Sequence, residues 1–399
     1  MKRLALIAAI YAIALGAAIA GQTGSGPTDG RQIFRFNTFG DEQLWTDTLQ
    51  LHKAVQSVSP AAALNVGLKV DVEVLPATVI DALKAGTVNL NDPAVTVQLL
   101  ALNAVVGVIG RVSATGALQS IGITCALCHS TVDNSLAPGI GRRLDGWPNR
   151  DLNVGAIIAL SPVIASNPTA AAVYTGWGRG KYDARLHAFN GTSFIELNRS
   201  TLPVVIPPAY GLRQAGFETF TGDGPISYWN SYVGVTQMGG HGSFSDPRIG
   251  LSITQTPDLV TPALPALLDY QLSLRAPDPP RGSFDVVAAQ RGRQLFNGSA
   301  RCDMCHTPPA FTDVLRGPSR TVPFLHAPSE TSMEPAYASR SATGKYRTTP
   351  LRGLWQHPPY FHDGSAADLL AVVNHYDKVL SLGLTAAQKT DLVEFLKSL

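Results

Sequence analysis

Only four cysteines occur in 399 residues, too few to staple a chain of this length into a disulfide framework. An excess of one charge is also missing. Thirty-one Lys and Arg against 29 Asp and Glu leave a net charge of +2, which gives no basic footprint for nucleic acid. Beyond the first twenty residues no apolar run is long enough to cross a bilayer. No short-period repeat is visible. Histidine is sparse, and none occurs between His129 and His187. What abounds is glycine and proline, 37 and 28 residues, which predicts a loop-rich fold.

The four cysteines are all spent on two copies of one pentapeptide, Cys125-Ala126-Leu127-Cys128-His129 and Cys302-Asp303-Met304-Cys305-His306. Cys-x-x-Cys-His reads as covalent c-type haem attachment. The thiols of Cys125 and Cys128, and of Cys302 and Cys305, would add across the haem vinyl groups. His129 and His306 would become the proximal iron ligands. A structural zinc site wants four ligands gathered around one metal, whereas these pairs lie far apart and each carries its own histidine. A redox Cys-x-x-Cys has no need of the histidine. The expected cofactors are therefore two covalent haems.

Met1-Lys2-Arg3 precedes an uncharged apolar stretch ending in Ala18-Ile19-Ala20, the pattern of a secretory signal peptide over residues 1–20. A retained anchor is the alternative. No cysteine follows the leader, which excludes a lipoprotein. A periplasmic location follows, with no membrane span after leader cleavage.

The remainder divides into an N-terminal helical extension (21–114), a first haem block (115–275), a proline-rich linker (276–282) and a second haem block (283–399). The expected fold is mostly α, with two cytochrome c-like haem domains. In the extension, helices are predicted over residues 41–58, 76–85 and 93–106, the last two opened by proline at a permitted first-turn position. In the last block, residues 286–296 form a helix in which Gly292 allows another helix to approach. Thr385 caps a final helix, with Gln388 in capping-box position. Residues 190–224 are too irregular to assign.

The last block resembles the bacterial di-haem cytochrome c peroxidase and MauG superfamily. The resemblance is carried by Arg291-Gly292-Arg293-Gln294-Leu295-Phe296, the second haem motif, Tyr346-Arg347-Thr348-Thr349-Pro350-Leu351-Arg352-Gly353 and Pro359-Tyr360-Phe361-His362-Asp363-Gly364-Ser365. It continues through Val372-Val373-Asn374-His375-Tyr376. The first haem block matches more weakly, through Gly139-Ile140-Gly141 and Thr221-Gly222-Asp223-Gly224, where the family's tryptophan is absent.

The resemblance implies a set of roles. Tyr376 matches the distal ligand position of the second haem, with His375 or Met333 as alternatives. Arg142 and Arg143 stand where a histidine would close the first haem. That iron is then open, or is closed by His241 in the Gly239-Gly240-His241-Gly242 loop, a small-residue loop expected to be mobile. Arg142 would assist peroxide cleavage or pair with a haem propionate. Asp223 and Gln237 occupy the acid–base region, Asp223 having turn formation as its other reading. His362 would make a structural hydrogen bond near the second haem. Trp147, Trp177 and Trp229 are candidate electron relays, with plain packing as the alternative. Asn149, Thr348 and Pro350 would hold calcium.

The activity implied is peroxide reduction, or peroxide-driven oxidation of a substrate, with a small periplasmic cytochrome c or cupredoxin as electron partner. A non-enzymatic electron carrier is one rival. The other is an O₂-using oxygenase similar to the rubber-cleaving di-haem enzymes, with the extension and residues 190–224 building an apolar tunnel.

Overall fold

The computed structural model describes residues 29–399 apart from Glu218 and Arg320, so the leader over 1–20 lies outside the described residues. Two units emerge. The first runs from residue 29 to Thr201 and also takes in Ser231–Ser245 and Ser252–Tyr270. The second comprises Leu202–Asn230, Asp246–Leu251 and Gln271–Leu399. The described part of the expected extension, residues 29–114, belongs to the same unit as the first haem motif.

Helix predominates, but "mostly α" understates the strands. Among the described residues they form six two-stranded ladders. The main one is an antiparallel hairpin, Val108–Val112 with Leu118–Ile123, whose turn spans the expected 114/115 boundary. Its β-branched residues on both arms account for it. A short parallel pair sets Val70 and Asp71 against Ile140 and Gly141.

The helix expected over 41–58 is broken. A π-helical segment, Gln43–Thr48, is followed by Gln50 in the left-handed region (φ 52°) and a short helix Leu51–Val55. Pro93–Ala101 stops short of residue 106 because Asn103 turns the chain at φ 53°. Ala77–Lys84 follows expectation.

The second unit is organised on two crossing helices, Val286–Asn297 and Ala386–Lys397. A Cβ on Gly292 would lie 1.9 Å from the Asp391 carbonyl oxygen, so only glycine allows this crossing. Arg291 forks onto Asp391 beside it, at 2.9 and 2.6 Å. Thr385 Oγ1 accepts from the Gln388 amide, and the Gln388 side chain accepts from the Thr385 amide at 2.9 Å, completing the capping box. Phe296, Phe311, Leu392 and Phe395 form the centre of its core. Among the described residues no helix is long and apolar enough to cross a membrane.

Candidate haem sites

In the first unit, Cys125 caps the one-turn helix Ala126–His129. The His129 amide donates to the Cys125 carbonyl at 3.1 Å. The carbonyls of Cys128 and His129 accept from Asn149 and Gly146, both at 2.8 Å. Gly107, at φ 76°, passes so close that a Cβ there would lie 2.1 Å from the Leu127 nitrogen. The backbone of the motif is thus held from two sides. Burial pushes the Cys128 thiol up to about 12. A haem thioether carries no charge to bury there.

The strand Ser130–Val132 leaves the motif and pairs with Arg143–Asp145, bringing Val132 opposite Arg143. Arg143 Nε donates to Asp71 Oδ2 at 2.9 Å, and both side chains are fully buried. The guanidinium lies 5.3 Å over the Phe36 ring. Its Nη1 and Nη2 are buried with no hydrogen-bond partner among the described residues. Unmet charged donors away from water are costly, and they call for an anion. A haem propionate is one, so the first motif fits the group it is expected to carry. Arg142 points the other way, with its side chain 68% exposed and paired to Asp133 at 3.0 Å.

In the second unit, Cys302–Met304 is a 3-10 turn entered through Arg301 at φ 52°. The His306 amide donates to the Cys302 carbonyl at 2.9 Å, and its ring Nδ1 meets the Phe311 carbonyl at 2.9 Å. That bond fixes the tautomer with the proton on Nδ1, the arrangement usual for a metal-binding histidine. Burial holds the ring below the usual histidine range, in the neutral form that binds iron. Burial likewise pushes the Cys302 thiol up to about 11. The second motif also fits haem.

No family model matches the chain. A cytochrome c peroxidase, IdrP2 of Denitromonas iodatirespirans, is 29% identical over 153 residues, covering 30% of this chain and 42% of its own. The methylamine utilization protein MauG of Methylorubrum extorquens is 33% identical over 129 residues, covering 28% of this chain and 34% of its own. The chain is related to the cytochrome c peroxidase and MauG superfamily. It spans less than half the length of these curated relatives. A solved MauG-like protein associated with microbial copper homeostasis aligns with 55% of this chain and 85% of its own, at 21% identity and a TM-score of 0.36.

Of the residues that the superfamily resemblance singled out, Tyr376 lies on the helix Leu369–Leu380. Burial pushes its phenol up to about 12, and Cys305 and Cys302 are its neighbours, so the phenol lies beside the second motif. His375 Nε2 is taken by the Thr331 carbonyl at 2.8 Å, and Met333 packs against Val204, Tyr337 and Tyr346. His362 is buried, 3.1 Å from the Tyr346 hydroxyl and stacked on Tyr337.

In the first unit, Trp45, Trp177, Tyr182, His187, Phe194 and Gln237 line a small cavity. Tyr182 is a neighbour of Cys128, which ties the cavity to the first motif. Two π-helical segments contribute to its wall, Gln43–Thr48 and Val233–Gln237. Such turns are frequent at functional sites.

Gln237 is engaged at both ends of its amide. Oε1 accepts from the Tyr182 hydroxyl at 2.9 Å, and Nε2 donates to the His187 carbonyl and Thr236 Oγ1, each at 2.9 Å. It secures the wall. The group sequence reasoning passed over is His187. Its ring lines the cavity, packs edge-on against Phe194 at 6.0 Å, and is held neutral by burial. The one available signal was its rank as the first histidine after the motif.

His241 does not line that cavity, and its loop is pinned rather than mobile. Its amide donates to Phe39 and its carbonyl accepts from Leu259, both at 2.8 Å. The ring packs so closely on Gly40 that a Cβ there would be 3.0 Å away. Asp223 belongs to the second unit and acts as a turn clip: it accepts from Thr221 Oγ1 at 2.7 Å and from the Ala342 amide at 3.0 Å. Arg142 and Gln237 belong to the first unit. Asn149, also in the first unit, donates to the Gly67 carbonyl at 2.9 Å, and its Oδ1 is buried without a partner among the described residues. Thr348 and Pro350 belong to the second, where the Thr348 carbonyl accepts from Thr312 at 2.6 Å.

Proposed function

We propose that this chain is a periplasmic di-haem c-type oxidoreductase that reduces hydrogen peroxide, or uses it to oxidise a substrate. The observation that carries the reading is His306: its Nδ1 is committed to the Phe311 carbonyl at 2.9 Å, directly after the cysteine pair Cys302 and Cys305. Haem, when bound, supplies the redox-active iron. The protein's part is to attach, orient and insulate it. Cys125, Cys128, Cys302 and Cys305 attach the two groups. His129 and His306 would ligate the iron, and Arg143 offers two buried donors to an anionic group.

Peroxide reduction takes two electrons and two protons and yields two waters. A small periplasmic cytochrome c or cupredoxin would deliver the electrons singly. Tyr376, beside the second cysteine pair, would favour the higher oxidation states of iron through an anionic oxygen donor. His187 is the neutral imidazole of the first unit's cavity and the side chain there best suited to move a proton. Calcium held through Asn149, Thr348 and Pro350 belongs to the same reading.

One observation favours a second reading, the oxygenase. The cavity wall includes Leu44, Trp45 and Leu49 from the extension and Phe194 from the irregular stretch, an apolar lining suited to a hydrocarbon substrate.

The test uses exported holoprotein. Intact mass should report two haems, and stopped-flow mixing of the half-reduced protein with stoichiometric peroxide should give a fast Soret shift. A stable O₂ complex with olefin cleavage would replace the peroxidase reading by the oxygenase. Unchanged spectra in both redox forms, with no carbon monoxide binding on full reduction, would leave an electron carrier.

A further inference from the structure

We propose that His326 is a positioning residue of the second haem site: it clamps the loop that orients His306 and sets a fixed positive charge beside Cys305. The inference rests on the haem reading above. His326 Nε2 lies 3.0 Å from Asp313 Oδ2, and Nδ1 lies 2.8 Å from Glu330 Oε2. An imidazole with a carboxylate at each nitrogen donates from both, and is therefore the cation. The His326 side chain is 15% exposed and that of Asp313 only 1%, so water screens the pair little. In keeping with this, Asp313 first, then Cys305 and Glu330, push the imidazole up to about 11.

The clamp reaches the iron ligand through the backbone. Asp313 sits two residues beyond Phe311, whose carbonyl meets His306 Nδ1. Thr312 between them is tied to the Thr348 carbonyl at 2.6 Å. At the other end, His326 exchanges two backbone hydrogen bonds with Tyr346, at 2.8 and 2.9 Å. Glu330 is held in turn by the Ala327 amide at 2.7 Å. A rigid base thus grips the acid next to the orienting carbonyl.

Polar atoms of Cys305, Asp313 and His326 lie within 4.8 Å of one another, a spacing that would suit a metal ion. Haem attachment would turn the Cys305 sulfur into an uncharged thioether, which takes it out of such a metal site. What remains is a cation–carboxylate pair beside the Cys305 attachment point. Without the cation, Asp313 would act on the site alone and favour the more positive, oxidised iron.

The test is a spectroelectrochemical titration of exported holoprotein, with resonance Raman detection of the iron–histidine vibration. Wild type is compared with His326→Leu and His326→Gln. In both variants the oxidised-to-reduced ratio of the second haem at fixed potential should rise about tenfold, equivalent to about 59 mV for one electron. His326→Leu should also alter the His306 vibration, which His326→Gln should restore by keeping a donor toward Asp313. The first haem should titrate as in wild type.

A merely structural His326 would lower stability and leave both readouts of the loaded site at wild-type values; that result overturns the proposal. His326→Gln keeps the test open if the leucine variant does not accumulate. Wild-type protein carrying no haem mass on Cys302 and Cys305 would instead overturn the haem reading, and this one with it.

Discussion

The Asp71–Arg143 pair is the sharpest test of how the extension is built into the first unit. Both side chains are fully buried, and they join positions 72 residues apart. Removing one partner strands the other. In Arg143→Met, Asp71 keeps the Glu73 amide, at 2.9 Å on Oδ1, and Oδ2 loses its hydrogen-bonded cation. In Asp71→Leu, Arg143 keeps no anion on Nε, and its Nη1 and Nη2 already have no partner among the described residues.

Breaking a buried pair costs about 3–5 kcal/mol, a shift of about a hundred- to several-thousand-fold in the folding equilibrium. For a unit of this size that is about 6–20 °C in Tm. Replacing both partners removes the stranded charge, and apolar replacements of similar volume are often neutral or better. The double variant should therefore be more stable than either single one. Urea unfolding of the three variants, followed by tryptophan fluorescence, gives the coupling energy. Additivity to within about 0.5 kcal/mol would refute the argument, because it would mean the two charges do not depend on each other.

Gly292→Ala should destabilise the second unit, since its Cβ would sit 1.9 Å from the Asp391 carbonyl. Overpacking costs about 1–3 kcal/mol against a helix-propensity gain of at most about 1 kcal/mol, and thermal melts would read the difference. The His326 cluster sets a pH window. The raised histidine contributes fully below its unfolded value of about 6.5, and that contribution is lost as pH rises toward about 11. Asp313 and Glu330 are depressed, so theirs is full above about 4 and lost in acid. Stability of the second unit should therefore peak between about pH 4 and 6.5 and fall on the basic side. In His326→Gln the basic fall, read by urea titration across pH, should flatten.

Local chemistry was legible in the chain. The two haem motifs need only a pentapeptide each. The capping box of Thr385 and Gln388 is a contact between residues three apart, and the close approach at Gly292 follows from a missing side chain in an otherwise helical run. The phenol of Tyr376 could be read on the apolar face of its helix for the same reason: helical periodicity fixes direction. The broken helix over 41–58 was not legible, because a π-helical segment and a left-handed Gln50 answer to packing rather than to local propensity.

Tertiary structure decided the rest, and Arg142 and Arg143 show why. Neighbouring residues in extended backbone point to opposite sides, so one register choice sends Arg142 to solvent and Arg143 inward. That choice is set by pairing with Ser130–Val132 and by a carboxylate at Asp71, neither of which is visible in the local sequence. Likewise His187 matters through the cavity it lines, and His326 through two acids that fold back onto it. The sequence by itself determined which groups can be attached and where helices start. Which side chain meets the attached group depends on contacts between segments far apart in the chain, and those exist only once the chain is folded.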